Sequence, residues 1–234
     1  FIVGNKLRKK GRFTSGEAPF LKRHAPGAFK VCTPAAMQHA ISRYKPGVTD
    51  KVYPTIHDML QDVATIMRDE VQALIDEGAS YVQLDAPSYS TFFDPKRRAS
   101  LDASGVNSAE ALDAAIAADN AMIQSITRRP EVAIGIHFCR GNKRSAWGAE
   151  GSYEPIAEKA FASLTMDRYL MEFDTERAGG FEPLRFVPKG KTVVLGLITT
   201  KEPRLESEDE LLRRIEQAGK YVAMENLAVS TQCG

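Results

Sequence analysis

Apolar positions along this chain alternate between two patterns. Short runs occur at "FKVCTP" (29–34), "YVQLD" (81–85), "VAIGIHFC" (132–139), "RYLMEFD" (168–174), "TVVLGLIT" (192–199) and "NLAVST" (226–231). Most are apolar nearly throughout, the pattern of parallel strands covered on both faces. Between most of them the spacing becomes helical. Ile56, Met59, Leu60, Val63, Met67, Val71 and Leu74 recur at helical intervals, with Thr55 and Asp58 suited to a capping box and Gly78 to the position just past the end. An Ala-rich helix is predicted over 107–126, stopping before Pro130, and a shorter one over 152–164. Ser207 with Glu210 predicts the start of another, running to about Val222.

Repeated strand, helix, strand predicts an α/β fold on a parallel sheet. The strand spacing suits a (β/α)8 TIM-type barrel. Six strands are visible, so the barrel is expected to be incomplete in the given sequence, which opens without Met on "FIVGN" and stops on "STQCG". A doubly wound open sheet is the runner-up, but no G-x-G-x-x-G follows any strand. "FTSGEAPFLKRHAPGAF" and "DPKRRASLDASGV" read as exposed loops, and 1–234 reads as one catalytic domain, truncated at both ends.

Composition narrows the class only modestly. A 43% hydrophobic and 26% charged chain of 234 residues is ordinary for a globular protein. A net charge of +1 gives no footprint for nucleic acid or an anionic membrane. No apolar run approaches the ~18 residues of a membrane span, and no signal peptide is visible. Cys32, Cys139 and Cys233 are an odd, scattered set without a disulfide framework, which fits a reducing cytoplasm.

Candidate chemistry gathers at strand ends. His137 and Cys139 are two apart at the end of their run, so they project to one face of a strand. "YLMEFD" carries Glu172, costly to bury unless paired, protonated or metal-bound, and Cys233 follows "NLAVST". "YVQLD" ends in Asp85, with Gln83 on the same face. In a parallel barrel all strand C-termini open on one rim, where such enzymes react. One imidazole, one carboxylate and two thiolates make a donor set for tetrahedral Zn2+. The loop "RGNKRSAWGAEGSY" (140–153) offers Arg140, Lys143 and Arg144 for an anionic donor or acceptor, and Trp147 for stacking on a flat ring. Cys32 is expected to pack in its strand. His24, His39 and His57 are expected to be structural.

"YVQLD.P", "H.CRGN", "YLMEFD.ERAG", "VVLGLITTK.P.LE" and "LAVSTQCG" resemble the catalytic domain of cobalamin-independent methionine synthases, most nearly their short, single-domain relatives. The likeness runs from about residue 30 to the last residue in unbroken motif order. It implies a (β/α)8 barrel with zinc held by His137, Cys139, Glu172 and Cys233, the set that the strand ends select. It implies a methyl group passing from a reduced folate to homocysteine, whose amino group the family's Q-x-D-E-P aspartate holds. That residue falls on Asp85, the catalytic candidate through substrate orientation. Here "QLDAP" has Ala86 in place of the motif's Glu.

Two thiolates and a carboxylate leave Zn2+ with a formal charge of about −1. Such a centre is poor at acidifying water and suited to keeping a substrate thiol as thiolate, so thiol alkylation outranks hydrolysis. Two alternatives stay open: alkyl or epoxide transfer to a small thiol such as coenzyme M, which needs no carboxylates for an amino group, and a zinc-binding barrel without catalysis.

Overall fold

The computed structural model describes residues 1–39 and 41–233, and for residues 39 and 143 the backbone alone. In chain order the elements are α1 (Glu17–His24), β1 (Lys30–Pro34), α2 (Ile56–Asp76), β2 (Tyr81–Asp85), α3 (Ser90–Phe93), α4 (Pro95–Ala103), α5 (Ser108–Gln124), β3 (Ala133–Phe138), β4 (Asn142–Lys143), β5 (Ala146–Trp147), α6 (Glu154–Ser163), β6 (Arg168–Glu172), β7 (Thr192–Ile198), α7 (Glu208–Ala218) and β8 (Leu227–Thr231). The predicted strands and long helices are all present as an α/β arrangement with parallel strand pairing. Thr55 and Asp58 form both bonds of the capping box, and Gly78 takes the left-handed conformation after α2. No helix among the described residues is long and apolar enough to cross a membrane.

Two segments read as loops contain helices, α1 and α4. Both lack an apolar stripe: α1 buries only Ala18 and α4 only Leu101, so periodicity had nothing to register. The start of α4 is nevertheless written in "DP". Asp94 Oδ1 accepts from Lys96 N at 2.9 Å and Arg97 N at 3.2 Å, and Pro95 needs no N–H partner in the first turn.

The chain packs as two compact units, Phe1–Ala86 with Asp102–Ile136, and Pro87–Leu101 with His137–Gly234. In the first, β1 and β2 pair in parallel with Val31 opposite Val82 and Thr33 opposite Leu84. Helices α2 and α5 pack on each other. Met67, Val71 and Leu74 of α2 are buried, as are Ala111, Ala115 and Ala118 of α5, whose small side chains let the helices approach closely.

The first unit also fastens its N-terminal segment to α2 through a buried carboxylate. Glu70 is fully buried; its Oε1 accepts from Arg12 Nε at 2.8 Å and Thr14 N at 3.1 Å, and Lys9 Nζ lies 3.3 Å from Oε2. Arg12 also grips Glu77 with both Nη atoms, at 2.7 and 3.1 Å. Burial pushes the Glu70 carboxyl up, and the bonds from Arg12 and Thr14 outweigh it, bringing the group down to about 2. Because the folded value is depressed, this stabilisation is present above the ordinary glutamate value near 4.3. It is lost as pH falls toward about 2. Arg12→Ala is therefore expected to cost roughly 2 kcal/mol at pH 7. The difference from the parent should shrink steadily below about pH 4, measured by urea unfolding across pH. A constant difference down to pH 2.5 would mean that Arg12 acts by packing alone.

The second unit carries β6, β7 and β8 in parallel, with Glu172 opposite Gly196 and Gly196 opposite Ser230. Phe138, Tyr153, Phe161 and Phe173 are buried together, their rings edge to face at centroid distances of 5.5 to 6.4 Å. Helix α6 supplies Phe161, and Tyr169 fastens the helix end by donating to Leu164 O at 2.6 Å. Two of these rings adjoin candidate ligands in the chain, Phe138 before Cys139 and Phe173 after Glu172.

Candidate metal centre

Strand β3 delivers His137 directly, and Cys139 follows two residues later, just past the strand end. Cys233 follows β8 in the same way. Their ligand atoms, one ring nitrogen and two sulfurs, all lie within 4.8 Å of one another. Donors around a tetrahedral zinc sit roughly 3.5–3.8 Å apart, from bonds of about 2.0–2.3 Å, so a small contraction makes these three compatible with the ion.

The surroundings suit thiolates once a cation is present. Gly141 adopts φ +81°, which turns its N–H onto Cys139 Sγ at 3.4 Å. The hydrogen bond with Cys233 and burial push the Cys139 thiol strongly up, with the charges of Cys233 and Glu172 adding to the shift. Two adjacent sulfurs, one of them buried, cannot readily both be anionic alone; a divalent cation between them reverses that balance. The donor set therefore fits a soft divalent metal.

Glu172 ends β6 and is buried, as the sequence implies, but it stands outside the group of three. Its Oε2 accepts from Arg140 N at 2.7 Å. Burial raises the carboxyl, opposed by the Arg140 guanidinium and that N–H.

Arg140 differs from its expected role. It was to face an anionic ligand from a rim loop, yet its side chain is fully buried. Nε and Nη2 donate to Gly151 O at 3.0 and 2.7 Å, Nη1 to Glu172 O at 3.0 Å and Tyr153 Oη at 3.1 Å, and Nη2 also to Ala178 O at 3.0 Å. With every nitrogen committed to the interior, Arg140 braces the site and is not presented to a ligand. Trp147 lies in the β4–β5 hairpin, with the Arg177 guanidinium 4.7 Å from its ring centroid and its own Nε1 buried without a partner. One ring face is thus covered. Arg144 is exposed at φ +53° in the hairpin turn; the side chains of Lys143 and His39 lie outside the described residues.

In the first unit, Gln83 and Asp85 share a face of β2, as alternation requires. Gln83 Nε2 donates to Asp85 Oδ1 at 2.7 Å, and Lys30 Nζ donates to Gln83 Oε1 at 2.7 Å. Through its amide Gln83 links Lys30 to Asp85 and fixes the carboxylate. Sequence reasoning missed Lys30, although its place two residues before Cys32 puts both on one face of β1. Cys32, expected to pack, is exposed.

Parallel strands that bring an imidazole and two thiols to one point define an α/β domain with a donor set that could hold a soft metal. Known proteins sharpen that class. The profile of the cobalamin-independent synthase catalytic domain matches residues 48–234, and the chain belongs to this family. The Bacillus subtilis protein YxjH is 38% identical over 185 residues, covering 78% of this chain and 48% of its own. The methionine synthase of Pyrococcus abyssi is 25% identical over 187 residues, covering 79% and 45%. The chain thus spans a little under half the length of these relatives. Among solved structures, one from Listeria monocytogenes assigned to the vitamin-B12 independent methionine synthases superposes with a TM-score of 0.76 and 27% identity, over 99% of this chain and 66% of that one. The B12-independent methionine synthase of Shewanella sp. W3-18-1, solved with selenomethionine, gives 0.74 and 21%, over 97% and 61%, a likeness of fold. The fold is accordingly of the (β/α)8 type expected from strand spacing.

Proposed function

We propose that this chain is the catalytic part of a zinc-dependent S-methyltransferase that methylates a small thiol, homocysteine being the first candidate, from a folate-type donor. The observation that carries the reading is the convergence of His137, Cys139 and Cys233. Glu172 is proposed as the fourth ligand, from its buried strand-end position beside Cys139. When bound, the metal would favour the substrate thiol as thiolate at neutral pH, against a free thiol pKa near 8.5.

The chain's own residues supply orientation. By its place in the family motif Asp85 is proposed to hold the substrate ammonium by charge-assisted hydrogen bonds, each worth roughly 1.5–3 kcal/mol. Gln83 and Lys30 set the direction of that carboxylate, so it is preorganised before the ligand arrives. Ala86 is fully buried where the family motif carries Glu, leaving Asp85 with more of the recognition.

Asp85→Asn in zinc-loaded protein is expected to weaken homocysteine binding about tenfold, or 1.4 kcal/mol, by isothermal titration. Binding of 4-mercaptobutanoate, which is homocysteine without its amino group, should hardly change. Equal losses for both thiols would make Asp85 structural. Tight binding of coenzyme M, with none of homocysteine, would instead select the sulfonate acceptor.

A further inference from the structure

Tyr153 bridges two strand ends of the second unit. Its hydroxyl donates to Phe138 O at 2.8 Å and accepts from Glu172 N at 3.0 Å and Arg140 Nη1 at 3.1 Å. Phe138 is the last residue of β3 and Glu172 the last of β6. A strand carbonyl and N–H ordinarily bond directly at about 2.9 Å; with a hydroxyl between them they stand roughly 5 Å apart. The phenol has one donor and two acceptor lone pairs, and all are used. No slack remains in the bridge.

Arg140 completes it. Its guanidinium lies over the Tyr153 ring at 4.4 Å and near the Phe93 ring at 5.1 Å. It also donates to Glu172 O, while its backbone N–H donates to Glu172 Oε2. Glu172 is therefore fixed at its N, O and Oε2. Cys139 lies in sequence between Phe138 and Arg140, two of the three residues that the hydroxyl touches. Both side chains of the brace are fully buried. A buried Tyr–Arg pair that served packing alone would not need its bonds to converge on the backbone of Glu172 and on that of Phe138, the residue before Cys139.

We infer that Tyr153 is a positioning residue for the metal centre: with Arg140 it sets the gap between Cys139 and Glu172, so that the carboxylate reaches the ion alongside the thiolates. This rests on the metal reading of His137, Cys139, Glu172 and Cys233. The Tyr153 hydroxyl is spent wholly on protein groups. It acts through the two strand ends.

The test uses Tyr153→Phe, with zinc affinity measured by chelator competition and with the absorption spectrum of the Co2+-loaded protein. Zinc binding is expected to weaken roughly tenfold or more, the range seen when partners of metal ligands are removed. The cobalt d–d bands should shift as the carboxylate is lost, while the thiolate-to-cobalt charge-transfer band persists. Should Tyr153→Phe fail to fold, Arg140→Lys carries the same expectation, since it keeps the charge and removes the fork. Parental affinity and an unchanged spectrum in the variant that folds overturn the inference, whatever happens to thermal stability. A parent chain that binds neither Zn2+ nor Co2+ overturns the metal reading itself and the inference with it.

Discussion

Cys139→Ser and Cys233→Ser are each expected to reduce zinc from about one ion per chain to a small fraction after dialysis, with affinity falling at least roughly a hundredfold. The serine hydroxyl has nearly the same shape but stays protonated at neutral pH, so each change removes one anionic ligand and little else. The two sulfurs lie in the same compact cluster with His137, and the single-site losses should be similar. Their stability effects should differ. Cys139 is buried and accepts the Gly141 N–H, whereas Cys233 is only half-buried near the described C-terminal end. Metal content by mass spectrometry and unfolding by calorimetry separate the two effects. Full zinc occupancy in both variants would remove these cysteines from any metal centre.

Gly196→Ala is expected to damage the second unit by overpacking. Gly196 sits in β7 between β6 and β8, and a Cβ there would lie 2.8 Å from Gln232 Cα, 3.0 Å from Met171 O and 3.1 Å from Thr231 O. All three are backbone atoms, so no side-chain rotation relieves the contact. Overpacking of this kind costs roughly 2–3 kcal/mol, or about 5–10 °C in Tm for a domain of this size. Of the displaced residues, Met171 and Gln232 directly precede Glu172 and Cys233, so zinc affinity should fall with stability. A variant with the parent's Tm and zinc affinity would show that the strands yield more easily than their close approach implies.

What the sequence disclosed follows from where the physical signals are local. Continuous apolar runs marked every long strand, and the Thr55–Asp58 and Ser207–Glu210 pairs marked helix starts to the residue. Helices α1 and α4 escaped because they bury too little for periodicity to register. Strand-end position was enough to select His137, Cys139 and Cys233, since parallel strands deliver their ends to one side. The direction of a long side chain is a different matter. Arg140 turns inward onto carbonyls from Gly151, Glu172 and Ala178, partners 11 to 38 residues away that no local pattern reveals. Gln83 likewise spends its amide on Lys30, 53 residues distant. Gly196 did leave a signal, since glycine inside a strand often marks a close backbone approach.

The central claim is that the His137, Cys139 and Cys233 cluster holds a metal that activates a thiol. Proton release on thiol binding tests this most directly, measured by titrating homocysteine into zinc-loaded and zinc-free protein at pH 7 in buffers of different ionisation heat. A free thiol is mostly protonated there, so binding as thiolate must release close to one proton. The account predicts about one proton per bound homocysteine with zinc and none without it. Binding that releases no proton in the zinc-loaded protein would contradict it.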